Sequence, residues 1–195
     1  MSSRNSSVRY GGVAMTFHWV IAALVFLNVF LGIYFVQILD SHDPMRRVVV
    51  GWHESIGITV LVLSLLRLGW RLMNPIPPLP ADFSPGKRFF ARGTHYTLYA
   101  LMILVPFMGW QLASIPPRPL MLFGAIPWPK LFYIAGLSAV AKKAAAGIIA
   151  PSHIILALLL FALAIGHICA ALFYHHMIRK DQVLKRMVPG TDVTA

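Results

Sequence analysis

The sequence is short of negative charge and of cysteine. Six aspartates and glutamates stand against 17 lysines and arginines among 195 residues, and Cys169 is the sole thiol. One cysteine excludes an intrachain disulfide framework, and no Cys-x-x-Cys-His segment exists to tether a haem covalently. Within the apolar stretches only Glu54 is acidic. That argues against a metal or proton transporter working directly through histidines, because such pathways usually recruit carboxylates. Charged residues are 12% of the chain and hydrophobic ones 58%, which excludes an ordinary soluble domain. The net charge of +11 would suggest nucleic acid in a soluble protein. In so apolar a chain it reads instead as loop charge that orients membrane spans, with lipid as the surrounding partner and no nucleic acid.

What is present is a set of four long apolar runs: Met15 to Ile38, Val49 to Leu72, Thr94 to Ala113 and Ser152 to Tyr174. Each is long enough to cross a hydrocarbon core of about 30 Å. The expected fold is therefore an all-α integral membrane protein, an antiparallel four-transmembrane-helix bundle forming a single domain over residues 1–195. Placing the N-terminus inside puts eleven basic residues on the inner side and six on the outer, so both termini are expected to be cytoplasmic. The first run is too long, and lacks the small-residue site, for a cleaved signal peptide. Between spans two and three, NPIPPLPADFSPGKRFF predicts an extended connection. Before span four, YIAGLSAVAKKAAAGIIA is too broken to cross; it predicts a surface segment or a helical lead-in, with Pro151 at a first turn or a kink. The tail PGTDVTA is expected to fray.

Span four carries the chemistry. His153 and His167 are fourteen residues apart, which brings them to within about 40° of one helix face and roughly 21 Å apart along the axis. Neutral imidazole ligates iron, and ionisable groups at membrane depth are functional candidates by default. Alternating span directions place His18 level with His167 near the inner side, and His53 level with His153 near the outer side. Two pairs on facing helices are how a four-helix bundle builds cofactor sites, here two bis-histidine haems stacked across the bilayer. The alternative is that each histidine is an interhelical hydrogen-bonding group. His95, at the inner start of span three, competes with His18 as inner ligand; otherwise it is a candidate quinone, propionate or hydrogen-bonding residue, while His175 and His176 are either interfacial polar groups or candidate quinone or proton-handling residues. Gly57 and Gly166 would let a flat macrocycle or a helix approach. Arg67 and Arg71 inside, and Arg46 and Arg47 outside, are candidates for haem propionates as well as simple anchors.

The segments TFHWVIAALV, GWHESIGITVLVLSLLRLGWRL with NPIPPLP, THYTLYALMILVPFMGW, and PSHIILALLLFALAIGHICAALFYHHMIRKDQVLKRMVP occur in this order across nearly the whole chain. Their order and spacing resemble the bacterial cytochrome b561 family. The resemblance implies a dihaem b-type cytochrome of the bacterial inner (cytoplasmic) membrane, with iron ligands His18, His53, His153 and His167. It also implies an oxidoreductase passing electrons between quinone, ubiquinone in the best-described members, and an outer partner such as superoxide. The chain departs from the family pattern just before His153, where Pro151 follows an Ala/Gly-rich, lysine-bearing stretch. If superoxide is the donor, Arg118, Lys130, Lys142 and Lys143 are the outer cations expected to attract it. The alternative is a haem-bearing membrane-anchor subunit that serves a redox protein partner, a dehydrogenase or hydrogenase.

Overall fold

The computed structural model describes residues 2–191, so residues 192–195 of the tail lie outside it. Four helices dominate: α1 Gly12–Gln37, α2 Pro44–Leu72, α3 Pro85–Ala113 and α5 Ala139–Cys169. A short antiparallel hairpin, β1 Met121–Leu122 with β2 Ile126–Pro127, and the single turn α4 Phe132–Ala135 fill the connection between α3 and α5. Beyond Cys169 the helix continues as a π-helix, Ala170–Arg179, and the described chain closes with a 3₁₀ turn at Lys185–Met187.

The helix starts are written locally. Asp43 and Ser84 cap α2 and α3 by accepting from the backbone N–H of Met45 (2.8 Å) and Lys87 (3.4 Å), each followed by a first-turn proline. Ser138 caps α5 in the same way, through Ala141 N–H. The fourth span therefore begins well before Ser152. The stretch expected to be a surface segment or lead-in is helical from Ala139, and Pro151 sits inside α5 rather than in its first turn. Alanine is the strongest helix former, and the run AVAKKAAAG outweighs one missing hydrogen bond.

Helices α1 to α2, α2 to α3 and α3 to α5 pack side by side, and α5 meets α1 more loosely. Their shared interior is a belt of Ile21, Val25, Ile56, Val60, Tyr99, Met102, Val105 and Leu160. Outside this belt large apolar residues face outward, among them Phe30, Leu66, Ile155 and Leu158. Among the described residues four helices are long and apolar enough to cross a membrane, and the fold is that of a four-span membrane bundle. Both chain ends gather at one end of it: Trp19 Nε1 donates to the Met187 carbonyl (2.9 Å) and Arg9 to those of Val188 and Thr191. We call this the terminal end and the opposite one the loop end.

Two fully buried serines pin the hairpin connection to the loop end. Ser55 Oγ accepts the Phe123 N–H (2.8 Å) while donating to the Gly51 carbonyl, and Ser114 Oγ accepts the Leu131 N–H (3.0 Å) while donating to that of Trp110. Ser114→Ala leaves the Leu131 N–H without its partner, which costs about 1–3 kcal/mol. The expected outcome is a lower unfolding midpoint and faster amide exchange at Leu131. Exchange as slow as in the unsubstituted protein would show that the serine does not hold the loop.

Candidate functional site

Helices α1, α2, α3 and α5 leave a cavity at each end of the apolar belt. The loop-end cavity, of about 220 Å³, is lined by His53, His153, Gly32, Gly57 and Gly109. His53 and His153 face each other there, with ring centroids 6.1 Å apart and planes at 82°. Each is held by the helix that precedes its own in the bundle. His53 Nδ1–H donates to the Asn28 carbonyl of α1 at 3.0 Å, and His153 Nδ1–H to the Val105 carbonyl of α3 at 3.0 Å. A carbonyl only accepts, so each Nδ1 carries the proton and each Nε2 keeps its lone pair free.

Four residues past each carbonyl stands a glycine. A Cβ on Gly32 would lie 3.2 Å from His53 Cε1, and one on Gly109 would lie 3.2 Å from His153 Cε1. The absence of a side chain lets each ring close onto its carbonyl. These two glycines were not singled out from the sequence, where they look like any other glycines in apolar helices. Of the two that were, Gly57 lies against the Asn28 amide, with Nδ2 3.3 Å from its would-be Cβ. Apart from its chain neighbours and the local helix backbone, no atom of the chain lies within 4 Å of a Cβ built on Gly166.

The terminal-end cavity, of about 380 Å³, is lined by His18, His95, His167, Arg67, Arg71 and Tyr99 among others. His18 and His167 have ring centroids 6.3 Å apart with planes at 79°, close to the geometry of the other pair. His95 is also near His167, at 5.4 Å. Here the tautomer is set differently. Arg67 Nη2 donates to His18 Nδ1 at 3.2 Å, and a guanidinium only donates, so this nitrogen is an acceptor. Arg67 and Arg71 both lie against the Tyr99 ring, at 5.3 and 5.6 Å from its centroid. Among the described residues neither forms an ion pair with a carboxylate.

The remaining candidates lie apart from both cavities. His175 Nδ1 is 2.8 Å from Asp181 Oδ2, the Phe83 ring stacks on it, and Arg179 bridges Asp181 to Asp82. Burial pushes the Asp181 carboxyl up, but hydrogen bonds to His175 and Arg179 outweigh it and hold the group below the ordinary aspartate value. The stability this lends is present above the unfolded value, near about 3.9, and is lost only as pH falls through the depressed one. His176 is exposed, as is His42. Arg46 donates to the Phe35 and Leu39 carbonyls, which makes it a C-terminal cap for α1. Arg118 Nη2 pairs with Glu54 Oε1 at 2.6 Å.

The donor set fits a haem in tautomer and spacing at the loop end; at the terminal end, where an accepting Nδ1 leaves the proton of neutral His18 on Nε2, it fits in spacing. Two imidazoles bound to one metal from opposite sides, each through a bond of about 2 Å, hold their ring centres roughly 6 Å apart. Both pairs meet that spacing, whereas 5.4 Å between His95 and His167 is too short for it. A second ring nitrogen donating to a backbone carbonyl is the usual support of a histidine ligand. A four-span bundle with histidine-lined cavities between its helices defines the class of multi-span membrane cytochromes. The chain belongs to the prokaryotic cytochrome b561 family, whose sequence model matches residues 9–190. It is 34% identical to cytochrome b561 homolog 2 of Escherichia coli (strain K12), over 96% of this chain and 95% of that one. It is 30% identical to cytochrome b562 of Cereibacter sphaeroides, over 92% and 94% of the two chains. It is 27% identical to the probable superoxide oxidase CybB of Yersinia pestis, over 93% and 96%. The protein is thus a multi-pass bacterial membrane cytochrome of b type that works in haem-based electron transfer.

Proposed function

We propose that this chain, as a single domain, conducts electrons across the bacterial inner membrane through two non-covalent b haems. His53 and His153 hold one and His18 and His167 the other, with the terminal end facing the cytoplasm. The observation that carries the reading is the pair of facing imidazoles at matching separations, 6.1 and 6.3 Å, at opposite ends of one bundle. When bound, each haem would supply a one-electron iron couple. The protein does the rest. Nε2 of His53 and of His153 is presented by a carbonyl-locked tautomer. Arg67 and Arg71, which form no ion pair with a carboxylate among the described residues, are placed to hold haem propionates. Phe35 packs edge-on to His53 and fixes the ring from a third side.

At the cytoplasmic end, electrons leave to ubiquinone. His95, in the terminal cavity, and His175, held by Asp181, are the candidate quinone contacts, and exposed His176 is the third. At the loop end the donor is superoxide, the substrate that the name of the Yersinia pestis relative implies. Arg118, Lys130, Lys142 and Lys143 would steer that anion. Replacing all four with glutamine is expected to slow superoxide-driven haem reduction about tenfold or more at low salt, with the difference fading at high salt. An unchanged rate at low salt would remove superoxide steering from the reading.

The deciding experiment is an optical spectrum of the detergent-purified protein, oxidised and dithionite-reduced, with haem counted per chain. Two haems with sharp low-spin reduced bands are expected. One haem would mean that one histidine pair is misassigned, and none would overturn the reading.

A further inference from the structure

The two histidine cavities carry opposite charge. Among the described residues, Glu54 is the one ionic side chain lining the loop-end cavity. Arg67, Arg71 and Arg186 line the terminal cavity, and no carboxylate does. Glu54 directly follows His53 in α2. Its Oε1 takes Arg118 at 2.6 Å, and its Oε2 is buried without a hydrogen-bond partner. The two partners are not equally screened: the Glu54 side chain is 12% exposed and that of Arg118 39%. Water weakens the field of the guanidinium more than that of the carboxylate, so the cavity feels net negative charge. At the other end Arg67 touches His18 itself, and its charge and that of Arg71 have no carboxylate against them among the described residues.

We propose that Glu54 and the Arg67–Arg71 pair act as positioning charges that set a potential gradient. The loop-end iron sits at the lower potential and the terminal-end iron at the higher one. The inference rests on the two-haem reading above. Oxidised iron carries one more positive charge than reduced iron, so a buried carboxylate beside it favours the oxidised state and a guanidinium the reduced state. Each haem brings carboxylates of its own; the arginines offset them at the terminal end, whereas Glu54 adds to them at the loop end. With haem held at both histidine pairs, one electron would pass downhill from the loop-end site, oxidised by one electron, to the terminal-end site, reduced by one. No proton or further reactant enters the balance. Direction is a property of the buried charges, whatever donor docks at the loop.

Equilibrium redox titration of the full-length, haem-loaded protein, followed optically, tests this. Two resolved midpoints are expected. His53→Ala leaves the higher and His167→Ala the lower. Glu54→Gln keeps a partner for Arg118 but loses the charge, and it raises the lower midpoint alone, at high ionic strength as well as low. Arg67→Gln lowers the higher midpoint alone, and Arg67→Lys moves neither. Arg71→Gln, whose side chain makes no bond to His18, gives the same direction as Arg67→Gln and replaces it if that variant binds no haem. If His53→Ala leaves the lower midpoint, or Glu54→Gln does not move it, the gradient is overturned while the two-haem reading stands. One haem per chain in the unsubstituted protein would instead overturn that reading, and the gradient with it.

Discussion

His153→Ala is expected to strip one haem from each chain and to leave the other in place. His53→Ala should remove the same haem, and His18→Ala or His167→Ala the complementary one. The effect is all-or-none per site because each iron depends on two imidazoles from different helices. Within the loop-end cavity His53 and His153 are the imidazoles present, so no neighbour stands ready to replace either. The terminal cavity is the sharper case, since His95 lies 5.4 Å from His167 and offers a third imidazole. That spacing leaves no room for an iron between the two rings, so His95→Ala is expected to keep both haems. Counting haem per chain in the five variants checks the assignment. Loss of a haem in His95→Ala, with retention in His18→Ala, would transfer the terminal ligand from α1 to α3.

The second large effect is expected from a residue that binds nothing. Gly109→Val should empty the loop-end site much as His153→Ala does, although both imidazoles remain. A Cβ at this position already stands 3.2 Å from His153 Cε1, and the two further carbons of valine would push the ring off the Val105 carbonyl. Outer support of this kind is typically worth about 10–100-fold in affinity for the bound metal group. Gly109→Ala should show a milder loss, and Gly32→Val should act on His53 in the same way. Gly166→Ala is the control: its new methyl meets open space, and haem content should not change. Haem retention during dilution in detergent separates these outcomes. Full retention by Gly109→Val would mean that the ring does not need the close approach.

The comparison of glycines marks where sequence reading stops. The four spans were legible because membrane-length apolar runs are a one-dimensional signal, and histidine depth followed from counting residues along alternating helices. Which glycine faces a neighbouring ring is a property of two helices at once, so Gly166 attracted notice beside His167 while Gly32 and Gly109 did not. The stretch before span four was legible only in part. Its small residues, Lys142 and Lys143 leave open a surface segment or a helical lead-in, and helix propensity in the alanine run decides for the helix, which begins at Ala139. In the sequence Arg118 is one of four outer cations. Its pairing with Glu54, 64 residues away in sequence, is a tertiary contact that no local pattern announces.

Beyond Cys169 the backbone advances in π turns as far as Arg179. Such turns pass more residues per revolution than an α-helix, so side chains beyond them point in directions that α periodicity does not give. Within that segment His175 faces Phe83 and Asp181. The segment works as a phase shifter in the helix. A one-residue deletion or insertion there can be absorbed as a change in winding. The histidine-bearing span before it and the chain beyond Arg179 can therefore each keep its own angular register.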